Sequence, residues 1–457
     1  MHRNLTPGTR YKFLKRVLST SLLLATAAIA LAQDANLSTY QGPGISSRGV
    51  GDVGTRSGEQ VSLRYYAGVL GILDSNLQPF ATDTKGNLIR IHNLYGVELS
   101  GGVYGVHSWK HSQLGLDYVG SYHRYTNLDV YNGSDQSLNL GYTIQTSRHW
   151  TFDLRDSVGT LSVGTGLVST GTSNDPVSSF TPTALIFDTR TNYLQSSAFA
   201  TYTQSARMSY TFGGSAFLQD RKTQGLSNSW GYDFNGTVQR RMTKTSTVGA
   251  SYTYSHFELP GFVSRSDSHS FHGTYATAFT RRLTLWVEAG ATVTEVESPF
   301  ILQLDPALAA LFGHPTIQGT SFFRTVYPSG RAALTRYFKN GSFGVNYFRG
   351  ANSGNGAYGA GRLDNASLTL SYTGFRRLNA GLEGGYYSLS SIGQTSGKYS
   401  TYSAAAGFTY LLGRAIHLSA RYDVHDQQID VSNFRRTSSR VAFGLLFSPG
   451  QRPLALW

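Results

Sequence analysis

The chain has no cysteine, and of its 457 residues only three are Met and twelve are Pro, while charged residues make up 14%. The missing thiols exclude disulfide scaffolds, Cys-ligated metals and thiol catalysis together. One long apolar stretch lies at the N-terminus. With no second run near the roughly 20 residues that a spanning helix needs, a polytopic helical membrane protein is excluded. The scarcity of charge beside 29 Tyr, 25 Phe and 51 Gly also fits poorly with two or three ordinary soluble domains.

The N-terminal stretch has its own logic. Arg3, Arg10, Lys12, Lys15 and Arg16 form a basic segment without an acid, Val17 to Ala32 are apolar or small, and Ala30-Leu31-Ala32 gives a small-x-small pattern before Gln33. Residues 1–32 are therefore read as a cleaved signal peptide, too short in its apolar part for an anchor. Losing those five basic residues lowers the formal charge from +13 to +8. A basic chain invites a nucleic-acid partner, but an exported one rarely meets it, so none is expected.

What the remainder has is period two. In the segment 414–426, Ile416, Leu418, Ala420, Tyr422 and Val424 alternate with His417, Ser419, Arg421, Asp423 and His425. Such alternation puts one face in a greasy and one in a wet environment, which a strand can do and a helix cannot. The same pattern runs through Met208/Tyr210/Phe212, Val248/Ala250/Tyr252/Tyr254 and Leu368/Leu370/Tyr372. About eighteen such segments can be placed between 61 and 448. Short connections take turns with long ones, which predicts an all-β, single-chain, antiparallel up-and-down transmembrane barrel of 16–18 strands with short periplasmic turns and long extracellular loops. Residues 33–60 are expected to be a flexible periplasmic segment and 449–457 a C-terminal tail.

The positive charge follows the turns. Lys110, Arg148, Arg207, Arg240, Arg241, Lys244, Arg281, Arg282, Arg336, Lys339, Arg376, Arg377 and Arg414 all lie in or beside the eight short connections, which contain no Asp or Glu. A basic ring at one rim suits anionic headgroups of the facing leaflet.

These features together resemble Gram-negative outer-membrane porins. The repeated hairpin pattern of an aromatic, one or two arginines and an apolar residue, as in Phe279-Thr280-Arg281-Arg282-Leu283 and Phe375-Arg376-Arg377-Leu378, is most similar to β-barrel porins found near exopolysaccharide loci. The resemblance covers about 61–457 and is architectural. It implies an outer-membrane location, contact with outer-membrane lipid and the barrel-insertion machinery, and passage of small hydrophilic solutes or of a polysaccharide; it admits a homo-oligomer. One departure stands out: such barrels end on the aromatic residue of the last strand, whereas here alternation stops at Phe447 and a tail to Trp457 follows.

Candidate chemistry is thin. Gly49-Val50-Gly51-Asp52-Val53-Gly54 matches G-x-G-x-x-G but follows no strand and opens no helix, so it is read as linker. His107 and His111 straddle a strand end and a turn, where four-residue spacing does not converge on a metal. No cofactor and no metal are implied, no nucleophile is identified, and an enzyme is not expected. A barrel enzyme would need a Ser–His or Asp–His constellation near one rim.

The polar faces read as a wall. Charges on the lipid side would cost about 2–4 kcal/mol each at the midplane, so Arg64, Glu98, Asp117, Asp153, Arg155, Asp233, Glu288, Arg331, Glu383, His417, Arg421 and Asp423 are expected to line a pore. At this strand number the lumen is too wide for side chains to fill. The leading expectation is a passive channel for hydrophilic solutes, then an exopolysaccharide export conduit, then a barrel enzyme or an adhesion barrel. In the connection 297–320, Asp305 and Pro306 can start a short helix through Phe312 that Gly313 ends, expected to fold over the mouth.

Overall fold

The computed structural model describes residues 63–75, 81–82, 88–89, 93–126, 132–162, 190–222, 226–261, 264–303, 305, 316–354, 360–392, 397–430 and 434–449. The expected signal peptide, the linker with its glycine motif, residues 306–313 of the expected helix and the tail from 450 lie outside them.

The strands in chain order are β1 (Arg64–Ser75), β2 (Ala81–Thr82), β3 (Leu88–Ile89), β4 (Asn93–Ser108), β5 (Ser112–Tyr125), β6 (Gly133–Gln145), β7 (Trp150–Ser162), β8 (Arg190–Ser205), β9 (Met208–Arg221) and β10 (Ser229–Arg241). They continue with β11 (Ser246–Leu259), β12 (Ser264–Thr280), β13 (Leu283–Gln303), β14 (Thr316–Phe338), β15 (Gly341–Asn352), β16 (Gly361–Tyr372), β17 (Leu378–Ser391), β18 (Lys398–Leu411), β19 (Ile416–Ile429) and β20 (Phe434–Phe447). Apart from the β2–β3 hairpin, all belong to one 18-stranded antiparallel sheet in which each strand pairs with its sequence neighbours. β1 pairs with β4 on one side and with β20 on the other, which closes the barrel. Phe447 meets Ala67 of β1 and Ile416 of β19, so the last alternating residue is also the last residue of the seam.

The pleat sorts the side chains as the alternation predicts. Ile416 is 49% exposed and its neighbour His417 0%; Val441, Phe443, Leu445 and Phe447 are exposed where Ala442 and Leu446 are buried. Val69, Leu99, Phe234, Phe271 and Leu382 extend the exposed apolar belt round the outside. A closed ladder with a greasy exterior pairs the backbone of its strands with one another instead of with solvent, the condition for a spanning sheet.

One rim is made of short turns: 109–111, 146–149, 206–207, 242–245, 281–282, 339–340, 373–377 and 412–415. They are tied by short-range backbone bonds such as Trp109 N to Ser112 O at 2.8 Å and Leu412 N to Ile416 O at 2.9 Å. Basic residues there also work locally. The Arg241 guanidinium donates to the carbonyls of Thr243 (3.2 Å) and Lys244 (2.6 Å), satisfying acceptors that the tight turn leaves open.

Two departures from the expected pattern shape the opposite rim. The connection expected at 297–320 is largely strand: the β13–β14 ladder runs without a break to Gln303 opposite Thr316. The β14–β15 ladder, in contrast, stops at Gly330 opposite Arg349. Pro328 sits just past that point, where a missing N–H costs no ladder bond on the open side. Beyond Arg349, β15 turns inward. Ala351 joins a buried cluster with Tyr193 of β8, Phe217 of β9 and Phe257 of β11, and Asn352 and Ser353 are buried beside it. From the other side, Leu226, which precedes β10, packs on Leu363, Tyr387, Leu389 and Tyr399 of β16, β17 and β18. The lumen is thus bridged near the long-loop rim.

Candidate functional site

The inner wall carries the chemistry, and the barrel seam concentrates it. The register sets Asp74 of β1 opposite Arg440 of β20, and Arg440 opposite Asp423 of β19. The Arg440 guanidinium also hydrogen-bonds Glu98 of β4, reaching across β1 to do so. Tyr125 OH donates to Asp74 Oδ2 at 2.6 Å. On the other flank Arg421 Nε donates to both oxygens of Asp423 at 2.6 and 2.8 Å, and its terminal nitrogen lies 3.7 Å from Glu383. Beyond Tyr125, His123 Nδ1 lies 3.6 Å from Asp135 Oδ2. Four carboxylates and two guanidinium groups therefore cluster across β17, β19, β20, β1 and β4, with Arg421 between Glu383 and Asp423 and Arg440 among Asp423, Asp74 and Glu98.

Of these, Glu98, Glu383, Arg421 and Asp423 are among the residues the sequence marked, and the fold brings them together. Asp74, His123, Tyr125, Asp135 and Arg440 were not marked. Arg440 shares its parity with Ala442, Gly444 and Leu446, so its face reads as apolar until closure sets it against the acids of β1, β4 and β19.

The other marked residues are spread round the wall. Asp117 is buried opposite Tyr104 and Asn139. Arg155 grips Asp153 on its own strand at 2.9 and 3.1 Å. Asp233 accepts from Ser215 Oγ at 2.5 Å. Glu288 accepts from Ser251 Oγ at 2.6 Å and stands opposite Arg331, whose guanidinium lies over Trp286 (5.9 Å) and Phe348 (5.1 Å). Arg64 donates to Ser448 Oγ at 3.1 Å at the short-turn rim. His417 shares that rim but is fully buried between Leu411 and Leu446, so packed side chains cover it. His107 packs edge-on to Trp109 with centroids 4.4 Å apart, and among the described residues no group of three or more His, Asp and Glu is placed to hold a metal.

Among the described carboxylates of outward parity, one sits low on the wall. Asp156 of β7 is exposed on the outer face, six residues above Trp150, and accepts from Ser196 Oγ of β8 at 2.5 Å. At about 3.3 Å per residue and a tilt near 40°, that is roughly 15 Å above the rim, inside the apolar band.

No family model and no curated protein matches the chain. Similar solved structures are outer-membrane proteins. The Pseudomonas aeruginosa OpdK with vanillate is 10% identical, with 85% of this chain and 99% of that one covered at a TM-score of 0.38. Pseudomonas aeruginosa OccK2 (OpdF) in complex with glucuronate is 12% identical over 85% and 98% (TM-score 0.38), and a BenF-like porin from Pseudomonas fluorescens Pf-5 gives the same values. The barrel assignment rests on the closed ladder itself, not on these likenesses.

Proposed function

We propose that the protein is a channel for small hydrophilic solutes across the outer membrane of a Gram-negative cell, its short basic turns facing the periplasm. One observation carries this: charged groups of both signs line the inner face of a closed wall whose outer face is apolar. A lumen that holds paired charges is a wet one, and at eighteen strands it is too wide for the wall's own side chains to fill. Glu98, Asp117, Asp153, Arg155, Asp233, Glu288, Arg331, Glu383, Arg421 and Asp423 form its polar lining, joined by Asp74 and Arg440; Arg64 and His417 belong to the periplasmic rim. Delivery to the membrane relies on the barrel-insertion machinery, with Phe447 the terminal aromatic of the last strand.

Small solutes are favoured over an exported polysaccharide by the bridging of the upper lumen. Ala351 against Tyr193, Phe217 and Phe257, and Leu226 against Leu363 and Leu389, place packed side chains across the path a polymer would thread. Swelling of proteoliposomes in sugars of graded size tests this. Uptake of mono- and disaccharides with exclusion of larger oligosaccharides is expected. Equal permeation of long oligosaccharides would favour the polymer conduit, and no permeation would remove the channel.

A further inference from the structure

The lumenal side chains of β12, β13 and β14 form a directed relay that the channel does not require. His272 of β12 stands opposite Gly290 of β13, and Gly290 opposite Ser329 of β14, so all three lie on one rung. Any side chain at Gly290 would start 1.8 Å from the Phe271 carbonyl oxygen. With none there, the imidazole reaches across β13. Its Nε2 lies 2.8 Å from Ser329 Oγ, and its Nδ1 faces Glu288 Oε1 at 3.3 Å.

The hydroxyl partners are compatible with the direction a nucleophile needs. Thr292 Oγ1 donates to Ser329 Oγ at 2.7 Å, occupying one of its two acceptor positions, and Ser329 can give its own proton to His272 Nε2 when that nitrogen is unprotonated. With Nε2 accepting, Nδ1 carries the proton, and the Glu288 carboxylate 3.3 Å away is the anion beside it. Glu288 is held in turn by Ser251 Oγ at 2.6 Å. A hydroxyl donating to an imidazole with a carboxylate beside its far nitrogen is the arrangement that activates a serine.

We propose that Ser329 is an activated nucleophile in the lumen, with His272 its base and Glu288 the positioning residue, and that it hydrolyses small carboxylic esters. Ser329 Oγ attacks the acyl carbonyl as its proton passes to His272 Nε2. The C–O bond to the leaving group breaks, and the imidazolium returns that proton to the departing alkoxide. Water, activated by the same nitrogen, then cleaves the acyl-serine, so ester and water give acid and alcohol. Arg331, two residues along β14 on the same face, brings positive charge to that stretch of wall, which favours an oxyanion there.

The test uses the full barrel in detergent micelles with a fluorophosphonate probe, mapped by tandem mass spectrometry, and p-nitrophenyl butyrate as substrate. One adduct per chain is expected, on Ser329. Ser329→Ala should abolish both labelling and hydrolysis, and His272→Asn should slow labelling by at least about 100-fold. Glu288→Gln should alter the pH profile of labelling while the barrel still assembles. Ser268→Ala, which removes a hydroxyl paired with Thr294 higher on the same face, should change neither. An unmodified Ser329 in wild-type barrel that conducts in a bilayer would overturn the proposal and leave the channel standing. Labelling of Ser329 at an unchanged rate in His272→Asn would also overturn it. Should Ser329→Ala fail to fold, the mapped wild-type adduct still decides.

Discussion

Replacing Arg440 by Met removes the cation that Glu98, Asp74 and Asp423 face, while keeping most of the side-chain volume. The Arg440 and Glu98 side chains are 10% and 12% exposed, so lumenal water relieves little of the resulting repulsion. Removing one partner from a pair buried to this degree costs about 3–5 kcal/mol, most of it from the Glu98 carboxylate left without its partner. Because Arg440 and Glu98 lie on strands either side of β1, the loss falls on the closure of the barrel. Unfolding in urea, followed by the gel-mobility difference between folded and unfolded barrel, reads the cost. Combining Arg440→Met with Glu98→Gln should be less damaging than the sum of the two single changes by about 1–3 kcal/mol, since the double variant leaves one fewer unpaired charge. An Arg440→Met barrel within about 0.5 kcal/mol of the wild type, the scatter of ordinary surface substitutions, would refute the reasoning.

Three further outcomes follow from the same geometry. Ala406 and Ala405 are neighbours on β18, the first facing out and the second in, between Glu383 and Asp423. Ala406→Arg should cost about 2–4 kcal/mol and deplete assembled barrel, whereas Ala405→Arg should not; equal effects would sink the register. The absence of native cysteine allows clean labelling: Arg435→Cys, exposed at the long-loop rim, should react with an impermeant maleimide on intact cells and Asn340→Cys should not, the reverse pattern inverting the topology. Asp156→Leu should stabilise the folded barrel by about 1 kcal/mol, because it removes a carboxylate from the lipid face; a destabilised barrel would show that the Ser196 bond outweighs that exposure.

The wall was legible because lipid and water sort side chains residue by residue. A strand read at 378–390 is found at Leu378–Ser391, and the basic turns fall where alternation pauses. What escaped has identifiable causes. Pro299 lies inside the long β13–β14 hairpin, just past the end of the β12–β13 ladder at Glu297, and proline in a sequence argues for a loop unless the ladder beside it is known to end. The inward turn of β15 is carried by Gly350, Ala351, Asn352 and Ser353, small residues that read equally well as the start of a surface loop. The seam cluster joins Glu98 to Arg440 across 342 positions, so it exists only once β20 closes on β1. The His272–Ser329 contact needs a register across three strands and a glycine between them, which no local pattern encodes.

Conductance of the purified protein in a planar bilayer tests the central claim most directly. Discrete, ohmic openings with a reversal potential shifted towards cations are expected, since four carboxylates face two guanidinium groups at the lumenal seam. A correctly assembled barrel that leaves the bilayer silent would contradict the account.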